Sequence, residues 1–88
     1  MADLLRAIAN ARRLQVLCVL MESEEATVGT LVARVGTSQS ALSQHLARMR
    51  EEGLIAFRRE SQNLHYRIAD ARIPTLMAEL YRLYCAKT

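Results

Sequence analysis

Apolar residues recur at helical spacing along the first half of the chain. Leu4, Leu5 and Ile8 share one side of the segment 2–10, which predicts a short first helix. Over 11–22, Leu14, Leu17, Cys18 and Met21 fall at i, i+3, i+4 and i+7. That spacing predicts a second helix with these four residues on its buried stripe. Glu22, Glu24 and Glu25 end it in an acidic loop. Thr27 is a candidate N-cap for a third helix over 27–35, with Val28, Leu31, Val32 and Val35 on its apolar face. Gly36 breaks that pattern. Thr37 and Ser38 are the next capping candidates. A fourth helix over 38–52 turns Leu42, Leu46 and Met49 inward, and Gly53 takes the position just past its end.

The period then drops to two. Ile55 and Phe57 alternate with smaller or polar neighbours; Leu64, Tyr66 and Ile68 face one way while His65 and Arg67 face the other. The polar residues Ser61-Gln62-Asn63 separate the two runs, so they read as a β-hairpin with an Arg-rich first strand. A last helix starts between Asp70 and Pro74, since proline is tolerated in a first turn. Its apolar positions include Ile73, Leu76, Met77, Leu80, Leu83 and Tyr84. The predicted fold is mainly α with a small β-hairpin. Two short helices joined at a glycine, followed by a two-stranded wing, describe a winged helix-turn-helix of five helices.

Composition changes this picture little. Eighty-eight residues that are 51% hydrophobic and 24% charged predict one globular domain spanning 1–88, small enough for a partner subunit to be expected. The longest uncharged apolar run, Leu14–Met21, is far too short to cross a bilayer. No signal-peptide pattern opens the chain, so a cytoplasmic location is expected.

Charge adds a direction. The formal net charge is +3 and eleven of the twelve basic residues are Arg. Arg is the side chain suited to forked contacts with phosphate or guanine. From Arg34 to Arg67 there are six Arg against three acids, which points towards nucleic acid.

The fourth helix carries the most informative chemistry. With its apolar stripe turned inward, the opposite face offers Ser38, Gln39, Ser40, Ser43, Gln44, Ala47 and Arg48. Gln pairs bidentately with adenine, Ser reaches base or phosphate, and Ala touches a thymine methyl. The first turn holds no acid to repel phosphate, and a helix N-terminus favours an anion. A solvated face usually carries Glu and Lys instead. His45 sits beside the apolar stripe, either as a DNA contact or as a structural histidine. Arg58, Arg59, Gln62 and Asn63 fall on or near the wing, where they can hold phosphates or enter a minor groove. Arg67 and Tyr66 are weaker candidates for that role. No nucleophile–base pair, phosphate-cradling Gly loop or paired carboxylates suggest an enzyme, and no cofactor is expected.

These residues resemble the ArsR/SmtB family of bacterial winged-helix repressors. The carriers are Arg13-Leu-Gln-Val-Leu in the second helix, Ser40-Ala-Leu-Ser-Gln-His-Leu-Ala-Arg-Met-Arg-Glu-Glu-Gly-Leu-Ile in the fourth, and Leu64-His-Tyr-Arg-Ile in the wing. The resemblance spans essentially the whole chain. It implies a homodimer built on the first and last helices, bound to an inverted-repeat operator in double-stranded DNA and released by an inducer. Two departures stand out. The stretch Ala9-Asn-Ala-Arg replaces the more usual His-Pro-Thr-Arg, and the N-terminal helix is short.

The family's thiol and Asp/His metal sites find no counterpart here. Ala26-Thr-Val-Gly-Thr-Leu lacks a thiol or imidazole, and Asp70 has no His partner in the last helix. Cys18, Cys85, His45 and His65 form no close-spaced ligand set, so no metal residues are assigned. Cys18 and Cys85 lie 67 positions apart. Their placement is similar to the BigR/SqrR-type repressors of the family, which implies sensing of reactive sulfur species or oxidants. In that reading the two thiols join through a disulfide or a sulfur bridge and DNA is released. A pair of inert core cysteines, a metal-responsive repressor and a winged-helix protein-interaction module stay open as alternatives.

Overall fold

The fold is that of a computed structural model, which describes residues 2–84. The elements run α1 (Ala2–Ile8), α2 (Ala11–Ser23), β1 (Ala26–Thr27), α3 (Val28–Val35), α4 (Gln39–Glu51), β2 (Ile55–Glu60), β3 (Asn63–Ile68) and α5 (Arg72–Tyr84). The five helices and the hairpin appear in the expected order. β1 is an addition. Ala26 and Thr27 pair antiparallel with Tyr66 and His65, making a three-stranded sheet ordered β1-β3-β2. A two-residue strand has no periodicity to read, and only its partner reveals it.

Helix ends follow local chemistry. Thr27 Oγ1 accepts from the backbone N–H of Thr30 at 3.3 Å, and Ser38 Oγ accepts from that of Ala41 at 3.1 Å. Each satisfies a donor that the first helical turn leaves open. α2 opens on Asn10, whose Oδ1 accepts from the N–H groups of Arg12 and Arg13. Asn10 thus makes a cap of the unusual stretch before α2, and the first helix stops at Ile8 rather than running to residue 10. α4 ends in a paired closure: Leu54 N–H donates to Met49 O at 2.9 Å and Gly53 N–H to Arg50 O at 3.0 Å. Gly53 has φ +80°, a left-handed conformation that costs glycine little.

The core lies where α2, α3, α4 and the sheet meet. Leu17, Leu31, Leu42, Leu46, Met49, Ile55 and Ile73 are almost wholly excluded from water. Each such side chain contributes about 1.5–3 kcal/mol relative to exposure. The inward face of α4 is the expected one. That of α2 is not. Its buried residues are Val16, Leu17, Val19 and Leu20, while Cys18 and Met21 are exposed and Leu14 is half-buried. At about 100° per residue, Leu14, Cys18 and Met21 form a second apolar stripe away from the first. The helix is apolar on two sides, and the core takes only one. α1 likewise buries Leu4 and Ile8 but leaves Leu5 46% exposed, contrary to the expected shared face.

The hairpin closes through a two-residue loop, Ser61-Gln62, with Glu60 paired to Asn63. Phe57 and Tyr66 face each other across β2 and β3, ring centroids 5.4 Å apart in an edge-on arrangement. Arg50 of α4 lies over the Phe57 ring at 4.8 Å. This stacking ties the wing to the fourth helix.

α5 starts where Asp70 Oδ1 accepts from the Arg72 N–H at 2.9 Å. Ile73 and Met77 enter the core, with Leu76 and Leu80 half-buried against it. Cys85 and the side chains of Leu83 and Tyr84 lie outside the described residues.

Candidate nucleic-acid interface

α4 displays the polar face that its spacing demands. Ser38, Gln39, Ser40, Ser43, Gln44, Ala47 and Arg48 are all exposed, while Leu42, Leu46 and Met49 are buried. At about 100° per residue, Ser40, Ser43, Gln44 and Ala47 share a stripe roughly a quarter-turn wide, with Arg48 at its edge. Thirteen residues make a rod of about 20 Å, enough to lie along a major groove. Ser38 has its hydroxyl oxygen committed to the cap, so its part is to hold the helix start. The first turn of α4 contains no acid. His45 is half-buried and lines a small cavity of about 280 Å³ with Arg13, Gln44 and Arg48.

The wing candidates divide into two kinds. Arg58, Arg59, Gln62 and Asn63 are all exposed. The Arg58 guanidinium, however, is engaged within the molecule. Its Nε and Nη2 donate to the two carboxylate oxygens of Glu25 at 3.0 and 2.9 Å, and Nη1 donates to Glu60 at 3.2 Å. The hydrogen bonds from Arg58 hold the Glu25 carboxyl below its ordinary value and push Arg58 itself upward. Glu60 also lies 3.4 Å from His65 Nε2. Glu25 and the wing are 33 positions apart in sequence, so no local pattern announces this pairing. Among the described residues no acid pairs with Arg48 on α4 or Arg59 on the wing, whereas the charge of Arg67 helps to lower the Glu25 carboxyl.

Cys18 stands exposed on α2. That overturns its place on a core stripe: the helix rotates so that Val16, Leu17 and Leu20 fill the core instead. The other proposed sensor residue, Cys85, lies outside the described residues. Among the described residues no three His, Cys, Asp or Glu side chains group as metal ligands. No described helix is long and apolar enough to cross a membrane.

The comparisons with known proteins agree in kind. Residues 10–56 match the family model described as bacterial regulatory protein, arsR family. The transcriptional activator HlyU of Vibrio cholerae is 48% identical over 82 residues, covering 93% of this chain and 75% of its own length. A structure of reduced HlyU from Vibrio cholerae matches with a TM-score of 0.86 and 48% identity, over 93% of this chain and 85% of that one. The transcriptional repressor BigR from Xylella fastidiosa matches with a TM-score of 0.90 and 36% identity, over 98% of this chain and 87% of that one.

Proposed function

The chain belongs to the ArsR family of bacterial regulatory proteins and is a transcriptional regulator rather than an enzyme; from that premise we propose a homodimeric repressor of thiol-switched type. The chain 1–88 acts as one domain for DNA binding and dimerisation. Two copies place their α4 helices in successive major grooves of an inverted-repeat operator, about 34–36 Å apart. Gln44, Ser43, Ser40 and Gln39 read base edges. Arg48, Arg59, Gln62 and Asn63 hold the backbone, and Ser38 fixes the helix start. Arg58 belongs to this set through its place on the wing, with its charge shared between DNA and Glu25.

The observation that carries the DNA-reading part is the exposed Ser/Gln stripe on α4. An interaction module needs an apolar face there. Dimerisation through the first and last helices is supported by exposed Leu5 on α1.

The switch uses Cys18 and Cys85. Exposure of Cys18 supports it, because a sensor thiol must meet its oxidant. Peroxide converts the two thiols to a disulfide and two waters. A trisulfane, H–S–S–S–H, converts them to a trisulfide bridge with release of two hydrogen sulfides. Either bridge ties α2 to the end of the chain and shifts the helices that set the spacing between α4 and its twin. BigR is named a repressor, and HlyU, solved in a reduced form, fits a redox-sensitive regulator. The metal-responsive alternative draws no support from the described donor groups.

The test is intact mass spectrometry after polysulfide, peroxide or metal treatment, with gel shifts on the same samples. A bridge mass that appears together with DNA release is expected. Cys18→Ser and Cys85→Ser each abolish release while leaving reduced-state binding intact. A single variant that still lets go of DNA refutes the pair.

A further inference from the structure

Arg12 and Arg13 are neighbours in the first turn of α2, yet they reach opposite ends of the helix-turn-helix. Arg12 Nη1 donates to the backbone carbonyl of Val35, the last residue of α3, at 3.2 Å across 23 positions. Gly36 and Thr37 alone separate Val35 from Ser38, the cap of α4. Arg13 Nη1 lies 3.4 Å from Glu52 Oε1, and Glu52 caps the far end of α4. Successive helical residues point about 100° apart, which lets one turn reach both places. The turn itself is held. Asn10 Oδ1 accepts from both backbone N–H groups, and Arg12 Nη1 also donates to Gln15 Oε1 at 3.2 Å.

Contacts of this kind add little to stability. Their effect is on direction. Contacts at the two ends of a rod set its tilt more strictly than packing along its middle, because they act on the longest lever. In a helix of about 20 Å, a tilt of about 3° moves one end by about 1 Å. A base-edge hydrogen bond is lost over that distance, since its donor–acceptor range is roughly 2.7–3.2 Å. Phosphate contacts, which carry no sequence information, are made by long side chains that can follow the backbone. Arg13 also lines the cavity of about 280 Å³ together with Gln44 and Arg48, so the clamp adjoins the reading face. Its side chain is only 12% exposed, which restricts where it can turn. We propose that Arg12 and Arg13 are positioning residues that hold both ends of the helix-turn-helix and set the angle at which α4 enters the groove, an inference that rests on base reading by α4.

The test is the ratio of affinities for two probes. One is a duplex that the full chain selects from a randomised library; the other is a scrambled duplex of the same composition. Arg12→Gln and Glu52→Gln each lower the ratio about fivefold, the low end for one base contact. Glu52→Gln is the sharper variant, because removing an acid by itself favours every DNA. Glu22→Gln is its charge-matched control. It removes an acid on the last turn of α2 that pairs with Arg34 at 2.7 Å, and it changes the ratio less than about twofold. Partial unfolding weakens both probes equally and leaves the ratio unmoved. Equal loss on both duplexes in Arg12→Gln, with the salt slope flattened by about one unit, makes Arg12 a phosphate contact and overturns the clamp. An unchanged ratio in Glu52→Gln overturns it as well. Gln44→Ala separates the clamp from its premise. If the ratio falls in Gln44→Ala but holds in the clamp variants, the clamp alone fails. If it holds in Gln44→Ala, base reading by α4 fails and the clamp with it.

Discussion

Arg58 on the wing grips both carboxylate oxygens of Glu25, at 3.0 and 2.9 Å, across 33 positions of sequence. The contact spans the strand order of the sheet, joining the loop before β1 to β2. It makes the two neighbouring wing arginines electrostatically unlike. Arg58 is already paired with Glu25 and Glu60 before DNA arrives, whereas no described acid meets Arg59.

That difference predicts a split in salt dependence. Each phosphate contact adds roughly one unit to the slope of log affinity against log salt. Arg59→Ala flattens the slope by about one unit. Arg58→Ala flattens it less, and Glu25→Gln steepens it by freeing Arg58. Titrations of a fixed duplex from low to high salt decide the matter. Equal flattening in both arginine variants means that the Glu25 pair opens completely on DNA.

Base reading by α4 predicts a loss confined to the cognate site. Gln44→Ala costs about 1–3 kcal/mol on operator DNA, the range for one bidentate base contact. Ser43→Ala costs less, because a hydroxyl makes a single bond. Neither variant weakens binding to random duplex by the same factor. Parallel competition assays with operator and scrambled DNA measure the ratio, and equal losses on both would remove α4 from sequence reading.

The rotation of α2 predicts opposite outcomes for adjacent residues. Leu17→Ala removes a fully buried side chain and destabilises the domain by about 2–5 kcal/mol. Cys18→Ser, on the exposed side, stays within about 0.5 kcal/mol. Urea unfolding of the reduced protein at matched concentration reads both. A large loss in Cys18→Ser would restore the thiol to an apolar contact, either inside the domain or between subunits.

Asp70 predicts a pH dependence at the start of α5. Arg72 holds its carboxyl down, from an ordinary 3.8 to about 2, first through the side-chain ion pair and then through the Arg72 backbone N–H. A depressed pKa stabilises the fold above the unfolded value, so the contribution is whole above pH 4 and fades as pH falls towards 2. Asp70→Asn lowers the melting temperature at pH 5, and the gap to the parent chain closes by pH 2. A gap that is constant across that range would mean that the charge plays no part.

Much of this was legible in the residues. Caps at Thr27 and Ser38, the glycine stop at Gly53 and the inward stripe of α4 are local: each depends on contacts within four or five positions. Their physical causes sit beside them in sequence. The exposed Ser/Gln face follows by elimination once Leu42, Leu46 and Met49 are turned inward. Even the cap at Asn10 was readable as a residue type, although the family comparison drew attention to the missing His-Pro instead.

What the chain could not announce depends on distance. β1 exists only because Tyr66 and His65 offer it a ladder. Arg58 meets Glu25, and Arg13 meets Glu52, 39 positions away, because the packing of helices and sheet brings them together. The α2 stripe shows the limit most sharply. Two apolar faces satisfy the same period, and periodicity alone has no means of ranking them. The sequence determined that this is a winged helix-turn-helix with a polar reading face, since repeat and capping chemistry act over one or two turns. Only the tertiary structure decided which side of α2 fills the core and which wing arginine is paired with acids. Those outcomes depend on the arrangement of whole elements, which no local pattern encodes.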